Sequence, residues 1–120
     1  MNSEELKART KQFALRVMKL VGALPRTKIG RAIGGQLVRS GTSVGANYRA
    51  ACRARSKAEF TAKLGTVAEE ADETCFWLEL ITEGELLAQK RVAALLKECN
   101  ALTAIFTSGV RTSQLGRNRQ

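Results

Sequence analysis

Arginine is the residue type in this chain whose spacing could do chemistry. Arg31 and Arg49 lie eighteen residues apart, which is five full turns of a helix, so their side chains point the same way. Arg53 sits one turn beyond Arg49, Arg39 falls within about a quarter-turn of that face, and Arg55 and Lys57 follow. Guanidinium groups grip phosphate oxygens two at a time, so these six residues are candidates for contact with the backbone of RNA or DNA. A second use of the same charges is internal: Arg39 or Arg49 could instead pair with Glu69, Glu70 or Glu73 on the next helix. No row of aromatic residues interleaves the arginines, so base stacking on a single strand gains no support.

Other chemistries find little to work with. Histidine is absent, which removes His-based acid–base catalysis, Ser-His triads and most zinc sites. The acids cluster on one segment, and Glu69 and Glu73 share a helix face with no second acidic helix to complete a metal site. Cys52, Cys75 and Cys99 are odd in number and too far apart for a zinc or redox motif, and they read as small buried hydrophobes in a reducing compartment. Gly30-Arg31-Ala32-Ile33-Gly34-Gly35 lacks both the preceding strand and the Lys-Ser/Thr ending of a phosphate loop. The expectation is a protein with no catalytic residues, metal or cofactor.

The elements that must carry these residues are helices. A first helix starting near Ser3, the expected N-cap, has an apolar stripe of Leu6, Phe13, Val17, Leu20 and Leu24, widened by Ala14, Met18 and Val21, and Pro25 stops it. A second, from about 28 to 54, keeps the stripe Ile29, Ile33, Leu37, Val44 and Tyr48. It also contains five glycines, each costing about 1 kcal/mol relative to alanine in a helix interior. Such a segment is helical only against neighbours, and its small residues offer a flat surface for a closely approaching helix; a kink is expected at Gly34-Gly35. The third helix opens with a capping box, Ser56 to Glu59, carries the stripe Phe60, Leu64, Val67, Ala71, Cys75, Leu78 and Ile81, and ends at Gly84 as its C′ residue. The fourth, about 86 to 110, repeats Val92, Leu95, Leu96, Cys99, Leu102, Phe106 and Val110. This predicts an all-α, antiparallel up-down four-helix bundle over residues 1–112, with a polar, basic tail over 113–120 and fraying expected from Arg111.

Charge and surface narrow the partners. The net charge is +9, and residues 1–57 hold thirteen Lys and Arg against only Glu4 and Glu5. The turn from Cys75 to Ile81 is apolar almost all round, so Phe76, Trp77 and Leu80 are candidates for an oligomer interface, the alternative being that the bundle core absorbs Trp77. No apolar run reaches the ~18 residues of a membrane span, and no signal segment opens the chain, so a cytoplasmic location is expected.

Residues 36–81 resemble a known family. Gln36-Leu37-Val38-Arg39-Ser40 through Ser43-Val44 to Asn47 is similar to the signature Q-[IL]-x-R-[AS]-x-x-S-[IV]-x-x-N of the ribosomal-RNA intervening-sequence proteins, and Arg55-Ser56-Lys57-Ala58-Glu59-Phe60 falls within its R-x-S-x-x-E-F segment. Residues 63–74 follow a further family segment loosely. Arg39, Asn47, Ser56, Glu59 and Glu70 stand at motif positions. The resemblance implies a closed bundle assembled as a ring-shaped homopentamer. It also implies kinship to the accessory variability proteins of diversity-generating retroelements, which engage nucleic acid and a reverse transcriptase through a basic surface. Where the family commonly continues Asn with Ile-Ala-Glu-Gly, this chain has Asn47-Tyr48-Arg49-Ala50, which exchanges an acid for a base on this face.

Overall fold

The computed structural model describes residues 1–118, with side chains described through residue 116. Four helices follow one another: α1 (Ser3–Gly22), α2 (Lys28–Cys52), α3 (Lys57–Glu83) and α4 (Gln89–Asn118). Each packs mainly on its neighbours in sequence, antiparallel, while α1 and α4 touch least. The result is an elongated four-helix bundle of 52 × 23 × 20 Å.

The caps explain where the helices begin and end. Asn2, rather than Ser3, caps α1: its side-chain oxygen accepts the Glu5 N–H at 2.8 Å. Thr27 does the same for Gly30 at the start of α2. In the capping box of α3, Ser56 Oγ accepts the Glu59 N–H at 3.0 Å, and the Glu59 carboxylate reaches one residue further back than expected, to the Arg55 N–H at 2.8 Å. At the far end of α3 the residue with left-handed backbone is Glu85 (φ 59°), not Gly84 (φ −82°). Leu86 N–H donates to Ile81 O and Glu85 N–H to Thr82 O, the paired bonds of a Schellman ending. Gly84 is required for a different reason: a Cβ there would lie 2.7 Å from Leu80 O.

The core is the stripe set read from periodicity, with instructive exceptions. Phe13, Val17, Leu37, Val44, Val67, Leu78, Ile81, Val92, Leu102 and Phe106 are fully buried, and Tyr48 stacks obliquely on Phe106 at 5.3 Å. Ile29 and Met18 belong to the expected stripes but stay exposed, Ile29 because it lies in the first turn of α2, beyond the end of α1. The polar Thr10, Ser40, Thr61 and Thr74 are buried instead. Each hydroxyl is satisfied: Thr10 donates to Leu6 O, Thr61 to Lys57 O and Thr74 to Glu70 O, and the Thr74 and Ser40 hydroxyls meet at 2.9 Å between α2 and α3.

Two further expectations are corrected. α2 runs unbroken through Gly34-Gly35: Gly35 faces open space, but Gly34, Gly41 and Gly45 pack on α1 and the turn that follows it, where a Cβ on Gly34 would stand 3.2 Å from Leu24, one on Gly41 2.8 Å from both methyls of Val17, and one on Gly45 3.2 Å from Thr10 Oγ1. α4 begins at Gln89 and continues to Asn118, well past the fraying point expected at Arg111. Thr61 of α3 hydrogen-bonds Ser113 of α4 and so docks this last stretch onto the bundle; the end of the expected tail, residues 119–120, lies outside the described residues. The seam between α1 and α4 is closed by a two-pronged ion pair in which Arg9 Nε and a terminal guanidinium nitrogen each donate at 2.8 Å to the two oxygens of Glu98. Arg9 holds the Glu98 carboxyl below its usual range.

The helix contact generates a paired prediction. Gly41→Ala should destabilise the fold by about 1–3 kcal/mol through overpacking against Val17, despite the better helix former. Gly35→Ala, whose Cβ meets nothing within 4 Å, should stabilise it by up to about 1 kcal/mol. Chemical denaturation of both variants checks the opposite signs.

Candidate nucleic-acid interface

Close packing of α1 on α2 decides which charges become neighbours. With Gly45 against Thr10 and Gly41 against Val17, the N-terminal half of α1 lies alongside the C-terminal half of α2. A groove of about 700 Å³ runs between them, and Lys7 and Lys11 from α1 join Arg49 and Arg53 from α2 along it. Glu4 is its one lining acid, and it is already engaged by Lys7 at 3.1 Å. Among the described residues no acid pairs with Lys11, Arg49 or Arg53, and all three are exposed.

The six sequence-predicted basic residues therefore divide. Arg49 and Arg53 form the groove with the two lysines. Arg31 shares their helix face but lies about 27 Å away along the axis at 1.5 Å per residue, where it lines a separate depression with Arg26. Arg39 is drawn to α3: it lies 3.3 Å from Glu70 and also hydrogen-bonds Glu73, which raises its pKa. Internal pairing thus holds for Arg39 and not for Arg49. Arg55 lies in the α2–α3 turn and Lys57 opens α3, both exposed, with Lys57 at the rim of an apolar hollow formed with Phe60, Leu64 and Ile105.

Lys7 and Lys11 are the interface residues that the helix-two reading passes over. Both stand on the wet side of α1, one turn apart, but nothing in their own helix aligns them with Arg49. That alignment comes from the glycine contact, and the small residues of α2 were the available signal.

The opposite face is acidic. Glu69, Asp72, Glu79 and Glu83 are exposed on α3, and Phe76 stands among them half exposed, at 51%. Trp77 is partly buried against the core, its ring edge-on to Phe76 at 5.0 Å and its indole N–H donating to Glu73 at 3.0 Å. Leu80 is half-buried. Of the three apolar candidates, then, Phe76 presents the most surface. Among the described residues no group of three or more metal-ligating side chains converges, and no helix is long and apolar enough to cross a membrane.

Residues 4–108 match the profile of the 23S rRNA-intervening sequence proteins. This chain belongs to that family. A solved relative, a protein of unknown function from the S23 ribosomal protein family of Bacteroides thetaiotaomicron VPI-5482, superposes with a TM-score of 0.84 at 31% identity, covering 92% of this chain and 99% of its own. No protein of curated function matches the chain. The intervening-sequence fold thus accounts for nearly the whole chain, α1 through most of α4, and the division into one basic and one acidic face is built on that framework.

Glu73 offers an internal reporter of the α2–α3 contact. It accepts from Trp77 and from Arg39, and both hold its carboxyl below the usual value. A depressed carboxyl adds stability that is complete above the unfolded value of about 4.3 and is lost as pH falls through the folded one. Fluorescence of the sole tryptophan should therefore titrate with a midpoint below about 4.3, and Glu73→Gln should abolish that transition.

Proposed function

We propose that this protein is a non-enzymatic, self-assembling helical bundle that holds the backbone of RNA or DNA on its α1–α2 face. The observation that carries the reading is the groove in which Lys7, Lys11, Arg49 and Arg53 face a single, already paired carboxylate. Like charges gathered on one face cost a folded protein a few tenths of a kcal/mol per pair, and a polyanion repays that cost by releasing its counterions. Arg31 and Arg26 extend the positive face along α2 over about 27 Å, roughly eight phosphate steps of one strand. The contacts available are to phosphate, which fixes position and carries no sequence information. The likeness to retroelement accessory proteins adds a reverse transcriptase as the protein partner to test alongside RNA and DNA.

The test is binding to structured RNA, duplex DNA and single strands across a salt series. Arg49→Gln with Arg53→Gln should weaken binding at least ~10-fold near 100 mM salt and reduce the slope of log K against log salt by about 2. Unchanged affinity and slope would overturn the reading.

Self-assembly is supported by a second observation. Phe76 stands exposed among Glu69, Asp72 and Glu79, while α2 presents the complementary charge. Two unlike faces on one chain make a head-to-tail contact, which closes into a ring when the rotation allows; a homopentamer is the size the family resemblance suggests. If a neighbouring copy's acids cover the α1–α2 groove, the protein is an interaction module without a nucleic-acid role. Phe76→Asp should turn an oligomer into a monomer of unchanged helix content, read by light scattering and circular dichroism. A parent protein that is already monomeric would remove assembly from the proposal.

A further inference from the structure

Cys75 of α3 and Cys99 of α4 are 24 residues apart in sequence, yet their sulfurs lie 2.8 Å from each other in the core. A disulfide bond is about 2.05 Å long, so the two atoms need only a small approach to bond. The pair is not simply apolar packing. The Cys75 thiol donates to Cys99 Sγ, and the Cys99 thiol donates in turn to Ala71 O at 3.1 Å, forming a short hydrogen-bonded chain across the α3–α4 contact. Thr103, which is only partly buried, sets its hydroxyl 3.6 Å from Cys75 Sγ and donates it to Cys99 O at 2.9 Å, so it packs against both cysteines.

We propose that Cys75 and Cys99 are an oxidation site, converted by a peroxide into an intramolecular disulfide that ties α3 to α4. Cys75 is the attacking sulfur. Its sulfur lies 3.6 Å from the Thr103 hydroxyl, and its hydrogen bond with Cys99 holds it below the ordinary thiol value, while the same neighbour and burial push Cys99 up. The Cys75 thiolate attacks one peroxide oxygen, the O–O bond breaks, and Cys75 becomes a sulfenic acid with hydroxide leaving. Cys99 sulfur then attacks Cys75 sulfur, the S–O bond breaks, and the hydroxyl leaves as water with the Cys99 proton. In sum, two thiols and one hydrogen peroxide give one disulfide and two waters. Cys52, on α2 and only half-buried, takes no part.

The experiment treats the folded, fully reduced chain with hydrogen peroxide, quenches, and counts free thiols after denaturation. The count should fall from the three cysteines of the sequence to one. The mass should fall by roughly 2 Da for the two hydrogens lost, peptide mapping should join residues 75 and 99, and the thermal midpoint should rise by roughly 5–10 °C, reversibly with dithiothreitol. Cys52→Ser should cross-link as the parent does, whereas Cys75→Ser and Cys99→Ser should not. The parent map needs no variant to fold. Three thiols persisting at a peroxide dose that oxidises an exposed control thiol, or a disulfide that includes Cys52, would overturn the proposal.

Discussion

The distance between α1 and α2 is set where Gly41 and Gly45 meet Val17 and Thr10, with no space left for a methyl group at Gly41. An α2 rich in glycine would not hold as a helix alone, since each such residue costs about 1 kcal/mol against alanine; it is helical because α1 fills the surface those glycines leave. The same contact fixes register. Once Gly45 sits on Thr10, Lys7 and Lys11 must lie beside Arg49 and Arg53. The weakest helix by local propensity is thereby the one that organises the charged face.

Charge follows from that arrangement in an uneven way. Arg39 is spent on Glu70 and Glu73, and Arg9 on Glu98, so these pairs hold helices together. The Arg9–Glu98 fork is partly buried, whereas exposed pairs such as those of Arg39 contribute modestly to stability, typically below about 1 kcal/mol, and the apolar core carries most of the fold. The basic residues along the α1–α2 groove have no equivalent structural task. Separation of positive charge on α2 and negative charge on α3 gives the molecule a direction across its long axis, which bears on encounter with a polyanion and with a second copy alike.

Much of this was legible in the sequence because helix periodicity is a strong signal. Val67, Ala71, Leu78 and Ile81 fall on one stripe of α3 and are buried together, and Ser56 marked its helix start because a side-chain cap is a local device. What failed was whatever depends on a second helix. Ile29 fits the stripe of α2 but projects past the end of α1. Arg39 and Arg49 lie about a quarter-turn apart on a helical wheel, and only the first lies within reach of α3. Cys75 and Cys99 show no motif, since their meeting comes from the antiparallel register of α3 and α4. The end of α4 was missed because its polar residues gain helix from docking at Thr61 and Ser113 rather than from an apolar repeat.

The order of contacts along the chain also has a kinetic meaning. Successive helices pair with their neighbours, so most contacts are local and the search for them is short; helical bundles of this kind fold in microseconds to milliseconds. The exception is the α1–α4 seam, where Arg9 reaches a partner 89 residues away. Closing so long a loop carries the largest entropic cost in the molecule and is rewarded by the thinnest helix contact. That seam is expected to form last and to open first, which makes the Arg9–Glu98 fork the latch on the bundle's most easily exchanged amides.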